Sequence, residues 1–200
     1  RLSRLSGKVM NVARILYPVK VLGPGNRVGI WLCGCSRACK GCSNPELWEQ
    51  RPEYEVSPIE VCKLIQKIVS SHTIDGFTIS GGEPMDQASA LAELMGLICD
   101  VSDDILIYTG FQIEEIRARC DPAMDYVLKK ASVLIDGAYI EEQNNGAVLR
   151  GSSNQRIHVL SRKYEDRYQQ YLAEAHNQIQ NFTTANGIVS VGIHHRGFSK

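Results

Sequence analysis

The sequence predicts an α/β fold built on a parallel sheet, and three observations predict it. Short apolar runs recur along the chain, as at Arg27–Leu32, Phe77–Ser80, Ile105–Tyr108 and Ser132–Ile135. Stretches long enough for a helix separate most of them, which is the connection that parallel strands require. Glycine or polar residues stop the runs, as at Gly81-Gly82, Thr109-Gly110 and Asp136-Gly137. An open doubly wound sheet and a barrel both satisfy this alternation. In either, right-handed crossovers gather the carboxyl ends of the strands on one edge, where such folds bind ligands.

The elements follow in order. Val9–Val21 is rich in β-branched residues and reads as a strand or paired edge, broken at Pro18. Gly23-Pro24-Gly25 is a turn, and Arg27–Leu32 runs straight into a cysteine-rich loop. The long loop Ser43–Val56 carries a helical turn at Pro45–Trp48. Ser57-Pro58-Ile59-Glu60 then starts a helix, with Ser as N-cap, Pro first and Glu third to close a capping box. Ile59, Cys62, Leu64, Ile65, Ile68 and Val69 follow at helical spacing. Phe77–Ser80 is a strand, Ala88–Cys99 a helix and Ile105–Tyr108 a strand. Shorter helices at Ile113–Arg119 and Pro122–Lys130 lead to the strands Ser132–Ile135 and Arg156–Leu160. A helix from Tyr164 to about Ile179 aligns Tyr164, Tyr168, Tyr171, Leu172 and Ala175 as core, and Ile188–Ile193 is the last strand. The ligand edge should collect the cysteine loop, Gly81–Pro84, Thr109-Gly110, Asp136-Gly137 and the loop after Leu160.

Composition narrows the function. Two hundred residues suit one domain, 1–200, with 1–22 as an N-terminal extension or edge strand. Net charge is zero, so no overall basic field draws the chain to nucleic acid or to a membrane surface. No membrane-length apolar span or signal segment is found, which makes the cytoplasm the expected location. Neither a GxxxxGK[ST] loop nor a GxGxxG after a strand is present, which removes support for nucleotide hydrolysis and Rossmann-type redox. In a reducing compartment seven cysteines do not form a disulfide framework, and clustered ones point to metal or redox chemistry.

Four of the seven fall in Cys33-Gly-Cys-Ser-Arg-Ala-Cys-Lys-Gly-Cys42. Cys35, Cys39 and Cys42 have the spacing C-x3-C-x2-C. Thiolates so placed in a tight loop can hold an iron–sulfur cluster with one iron left open. With Cys33 as a fourth ligand they can instead close a structural zinc site. Structural zinc commonly draws its ligands as pairs from separate segments, and all four thiols here share one loop, which favours the cluster. Cys62, Cys99 and Cys120 are scattered and read as core or surface residues.

The three-cysteine motif, with Gly81-Gly82-Glu83-Pro84 after the next strand, resembles the radical S-adenosylmethionine superfamily. Gly41-Cys42-Ser43-Asn44 with Trp48, Tyr108-Thr-Gly-Phe111, Leu134-Ile-Asp-Gly137 and Leu149-Arg-Gly-Ser-Ser-Asn-Gln-Arg156 narrow the likeness to activating proteins of anaerobic ribonucleotide reductase. It runs from about Gly23 to Ile193. The resemblance implies an incomplete (βα)6-type barrel of mostly parallel strands, with one [4Fe-4S] cluster on Cys35, Cys39 and Cys42. It implies S-adenosyl-L-methionine bound beside the cluster, its amino group at Gly81, Gly82 and Glu83. Thr109, Asp136 and Ser153 are further candidate cofactor contacts, and Gln155 a carboxylate or partner-loop contact. The implied reaction is reductive cleavage of S-adenosylmethionine and transfer of the radical to a glycine of a large glycyl radical enzyme. A one-electron donor such as flavodoxin would supply the electron. Two other readings stand beside it: a radical S-adenosylmethionine reaction on a small molecule or peptide, and a non-enzymatic zinc- or cluster-bearing interaction protein. Gly41 departs from the aromatic residue that many superfamily members carry there, though it is familiar in the reductase-activating subgroup. Cys33 has no role that the resemblance supplies.

Overall fold

A computed structural model describes residues 7–185 and 187–195. Among them, seven strands form one sheet: β1 (Met10–Val19), β2 (Arg27–Leu32), β3 (Glu55–Val56), β4 (Gly76–Gly81), β5 (Ile105–Tyr108), β6 (Val133–Asp136) and β7 (Arg156–Val159). Their spatial order is β3-β1-β2-β4-β5-β6-β7. The four central strands, β2, β4, β5 and β6, are parallel, while β1 and β7 flank them antiparallel. This is the α/β class expected, a mostly parallel central sheet with helices between its strands.

Because both faces of the central strands are covered, they read as continuous apolar runs rather than alternating ones. The pleat still sorts them. Ile30, Leu32, Phe77, Ile79, Ile105, Ile107 and Leu134 point to one face. There they meet the helices α1 (Pro58–Val69), α2 (Ala88–Ile98), α3 (Ile113–Ala118) and α4 (Pro122–Lys130). Trp31, Leu106, Val133 and Ile135 point to the other face. That face is covered by α5 (Glu165–Glu174) and by a hairpin of β8 (Ile179–Thr184) and β9 (Gly187–Gly192).

The predicted capping box at α1 is formed: the Ser57 N–H donates to Glu60 Oε2 at 2.9 Å and the Glu60 N–H to Ser57 Oγ at 3.3 Å. Within α1, Val61 and Ile65 carry the core contact and Leu64 faces solvent. The last helix is shorter than its periodicity suggests. It stops at Glu174, and Ile179 opens β8 instead. Its tyrosines do serve the core, with Tyr168 fully buried. Since β7 runs antiparallel, the loop after Leu160 lies at the opposite edge from the one expected, its amides bonded to the Ser132 carbonyl at the start of β6. The segment that enters β7, Leu149–Gln155, takes its place at the ligand edge. Among the described residues, no helix is long and apolar enough to cross a membrane.

At the amino-terminal edge of the parallel strands lies a buried ionic network. Arg27 and Asp104 are both fully buried and paired at 3.1 Å. Arg27 also donates to Thr78 Oγ1 at 2.7 Å and to the Phe77 carbonyl, while Tyr168 donates its hydroxyl to Asp104 at 2.7 Å.

Candidate cluster and cofactor site

At the carboxyl ends of β2, β4, β5 and β6 a cavity opens, and Cys35, Cys39 and Cys42 line it together. The cysteine loop is fixed by backbone bonds on one side and by a single turn on the other. Gly34 N–H donates to the Leu47 carbonyl and Cys35 N–H to that of Trp48, both at 2.8 Å. From the opposite side Asp86 accepts from the Ser36 amide at 2.7 Å and hydroxyl at 2.9 Å. Gln87 completes the clamp, donating to the Cys33 carbonyl at 2.9 Å and accepting from the Asn11 amide at 2.7 Å. Both side chains belong to the turn that follows Gly81–Glu83, a role their polar but unremarkable sequence gives no sign of.

Gly41 adopts φ +71°, and a Cβ there would lie 2.7 Å from Glu141. The left-handed backbone is the stronger demand for glycine at this position, since the Glu141 side chain could swing aside. Arg37, inside the loop, stacks its guanidinium on Phe111 at 3.9 Å and pairs with Glu115 at 3.0 Å. Burial pushes the Cys35 thiol above its ordinary pKa, a cost that a bound metal would relieve.

The four cysteines are not equivalent. Cys33 is fully buried among Val19, Leu22, Trp31 and Leu47, and its thiol donates to the Glu49 carbonyl at 2.7 Å. It does not border the cavity. A four-thiolate zinc site needs that fourth ligand on the same point as the other three. Among the described residues no three His, Cys, Asp or Glu side chains converge as they would on a single ion. A cluster takes one thiolate per iron, so its ligands surround it rather than meet. Three thiols that line one cavity without converging on a point fit that requirement.

Gly81 and Gly82 line the cavity, but their lack of side chains serves the frame first. A Cβ on Gly81 would come within 2.2 Å of the Leu32 carbonyl oxygen, and one on Gly82 within 2.1 Å of that of Gly34. The close seat lets the Gly82 N–H reach Leu32 O and the Glu83 N–H reach Gly34 O, each at 2.8 Å. Gly82→Ala is expected to destabilise the fold by roughly 1–3 kcal/mol through forced displacement of the cysteine loop. Iron content after reconstitution should fall with it, measured beside urea unfolding.

Glu83, also on the cavity wall, is almost completely buried. Its carboxylate accepts from the Met85 amide at 2.9 Å, the Thr109 hydroxyl at 2.7 Å and the Gly110 amide at 2.7 Å. It thus ties the end of β4 to the end of β5. Three donors leave room for about one more on a carboxylate's four lone-pair sites, enough for an ammonium group from the cavity. Burial nonetheless pushes its pKa from 4.5 up to about 7. The folded state therefore holds this proton more tightly than the unfolded chain. Its contribution to stability is complete below pH 4.5 and is lost as pH rises through about 7, a swing of roughly 3 kcal/mol. Urea unfolding across that window should show the decline in the wild type and a flatter profile in Glu83→Gln.

Of the remaining expected contacts, Thr109 is buried on the cavity wall. Asp136 is not brought to the cavity. The pleat of β6 turns residues 134 and 136 toward the helices, and Asp136 is fully buried there. Its carboxylate accepts from the Ile113 amide at 2.8 Å and from Arg156 at 2.6 Å. Burial opposes its ionisation, but these bonds prevail and its pKa lies below the ordinary value. Gly137, the next residue, does line the cavity. Ser153 is exposed and only its amide is engaged, to Gln143. From the same loop, Gly151 and Gln155 reach the cavity, Gln155 donating to the Gly137 carbonyl at 2.8 Å. Sequence reasoning missed Tyr108 and Tyr139 on the wall; it expected the last strand at Ile188–Ile193 but not that this strand, β9, supplies Ser190 to Gly192 to the cavity.

Comparison with known proteins gives a consistent picture. The family model described as a 4Fe-4S single cluster domain matches residues 21–158. An anaerobic ribonucleoside-triphosphate reductase-activating protein of Vibrio cholerae serotype O1 is 33% identical over 150 residues, 71% of this chain and 94% of the relative. The protein of the same name from Enterobacteria phage T4 is 32% identical over 154 residues, 74% of this chain and 93% of the relative. That of Salmonella typhi is 30% identical over 152 residues, 72% and 96% of the two chains.

Proposed function

Since this chain belongs to the family of anaerobic ribonucleoside-triphosphate reductase-activating proteins, within the radical S-adenosylmethionine superfamily, we propose that it generates a glycyl radical on such a reductase. The observation that carries this reading is the meeting of Cys35, Cys39, Cys42, Gly81, Gly82, Glu83 and Thr109 on one cavity at the strand ends.

In this reading Cys35, Cys39 and Cys42 hold a [4Fe-4S] cluster and Cys33 does not. Bound there, the cluster supplies the electron that cleaves S-adenosylmethionine reductively. Glu83 and the backbone of Gly81-Gly82 offer acceptors to the cofactor's amino group. Thr109 keeps Glu83 aimed at the cavity through its hydroxyl, so its contribution is to position that carboxylate. Asp136 and Ser153 serve the frame instead, Asp136 by anchoring the start of α3 and Arg156. A one-electron donor such as flavodoxin reduces the protein in the cytoplasm.

The test is anaerobic reconstitution with iron and sulfide, followed by reduction in the presence of S-adenosylmethionine. 5′-Deoxyadenosine should accumulate, and adding a reductase should produce a glycyl radical signal by electron paramagnetic resonance. Cluster-loaded protein that makes no 5′-deoxyadenosine would overturn the proposal. Cleavage without a glycyl radical, but with hydrogen abstraction from a small molecule, would move the chain to another reaction of the superfamily.

A further inference from the structure

The hairpin of β8 and β9 lies beyond residue 158, where the match to the family model ends. It is nevertheless part of the cavity. Ser190, Val191, Gly192, Ile193 and His194 line it in unbroken succession. Side chains alternate across a strand, so one face of β9 would contribute only every second residue. Ser190, Val191 and Gly192 are consecutive residues of β9, so the strand's backbone, and not one face of its side chains alone, borders the cavity.

That edge is open. Among the described residues β9 pairs only with β8, through the register Gln180↔Val191 and Asn181↔Ser190. The hairpin's other side is fixed to the body. The Gln180 side chain accepts from the Lys20 amide at 2.9 Å and donates to the Pro18 carbonyl at 2.7 Å, at the end of β1. Val191 and Ile193 pack with Trp31, Leu47 and Cys33, beneath the cysteine loop. The Asn144 amide donates to the His194 carbonyl at 2.9 Å and fixes the strand's far end. The strand edge is thus held rigidly toward the cavity that carries the three thiols.

An open strand edge is complemented by one kind of ligand, an extended polypeptide that pairs with it backbone to backbone. Gly137 and Gly151, outside the positions read as cofactor contacts, also line the cavity, so an incoming backbone meets little side-chain obstruction there. Resting on the activase reading above, we propose that β9 is the docking rail for the partner: an extended segment of the reductase adds to its free edge. The bonds made are main chain to main chain, which sets the depth and register at which the partner's target residue enters the cavity.

Hydrogen exchange on the cluster-loaded protein tests this, with and without a full-length anaerobic reductase. In the free protein, amides of β9 that face β8 should exchange slowly and those that face the cavity quickly. Adding the reductase should slow the fast set by about tenfold or more. Adjacent strand amides face opposite edges, so only one of Ser190 and Val191 presents its N–H to the cavity, and the exchange pattern identifies it. Proline at that position removes a single outward donor. It should raise the Kd for the reductase about tenfold, measured by titration on protein whose circular dichroism matches the wild type.

Unslowed β9 amides in a formed complex overturn the inference, as does an unchanged Kd in the proline variant. Slowing by S-adenosylmethionine alone would overturn it too, since the edge would then be a cofactor wall. 5′-Deoxyadenosine is measured in the same preparations. Its absence counts against the activase reading, whereas its presence with unslowed β9 amides counts against the docking rail alone.

Discussion

Alanine at Cys35, Cys39 or Cys42 should each abolish the four-iron cluster and reduce 5′-deoxyadenosine formation to background, whereas Cys33→Ala should retain both. The difference is physical rather than a matter of spacing. Each of the three cavity thiols would hold its own iron, so deletion of any one leaves an iron without a protein ligand. The Cys33 thiol is committed elsewhere, buried under the loop and bonded to the Glu49 carbonyl. Its removal opens a small void and leaves that carbonyl without its donor, at a cost of roughly 1–2 kcal/mol in stability. Iron and acid-labile sulfide analysis of anaerobically reconstituted variants separates the two cases. Loss of the cluster in Cys33→Ala, with folding intact, would reassign the ligand set.

What could be read from the sequence divides along one physical line. Local signals came through. The Ser57–Glu60 capping box, the apolar runs of β2, β5 and β6, and the glycine-punctuated strand ends depend on a few neighbouring residues and a two- or 3.6-residue period. Signals that depend on distant partners did not. Nothing local shows that Arg156–Val159 runs antiparallel, and that direction alone moves the Leu160 loop to the far edge and brings Gln155 to the cavity. The fate of Asp136 turns on one step of the β6 pleat: it was placed at the right strand end but on the wrong face. In Ile179–Thr184 polar and apolar residues alternate too weakly to mark a strand, so the expected strand at Ile188–Ile193 had no visible partner and the hairpin at the cavity went unseen. The resemblance implies Gly81 and Gly82 as contacts for the cofactor's amino group, and the structure adds a prior demand, the contact with Leu32 and Gly34.

The buried pair at the other end of the strands should dominate stability. Arg27→Met is expected to destabilise the fold by about 3–5 kcal/mol, because it strands the Asp104 carboxylate without its main counter-charge in the interior. Half-exposed Arg167, 3.4 Å from Asp104, offsets only part of the loss. The guanidinium also satisfies Thr78 Oγ1 and the carbonyls of Pro24, Phe77 and Asp104, and methionine can bond none of them. The double variant Arg27→Met/Asp104→Leu should therefore recover some of the stability but not all, since it removes the orphaned charge and leaves the carbonyls unpaired. Urea unfolding of the wild type, both single variants and the double variant gives the coupling energy directly. A double variant no more stable than Arg27→Met alone would mean that the carbonyls, not the ion pair, set the cost. The network stands at the amino ends of the strands and the thiols at the carboxyl ends, so whatever fraction of Arg27→Met remains folded should still take up iron. Stability and chemistry would then fail separately, as expected when a parallel sheet binds its ligands at one edge and is fastened at the other.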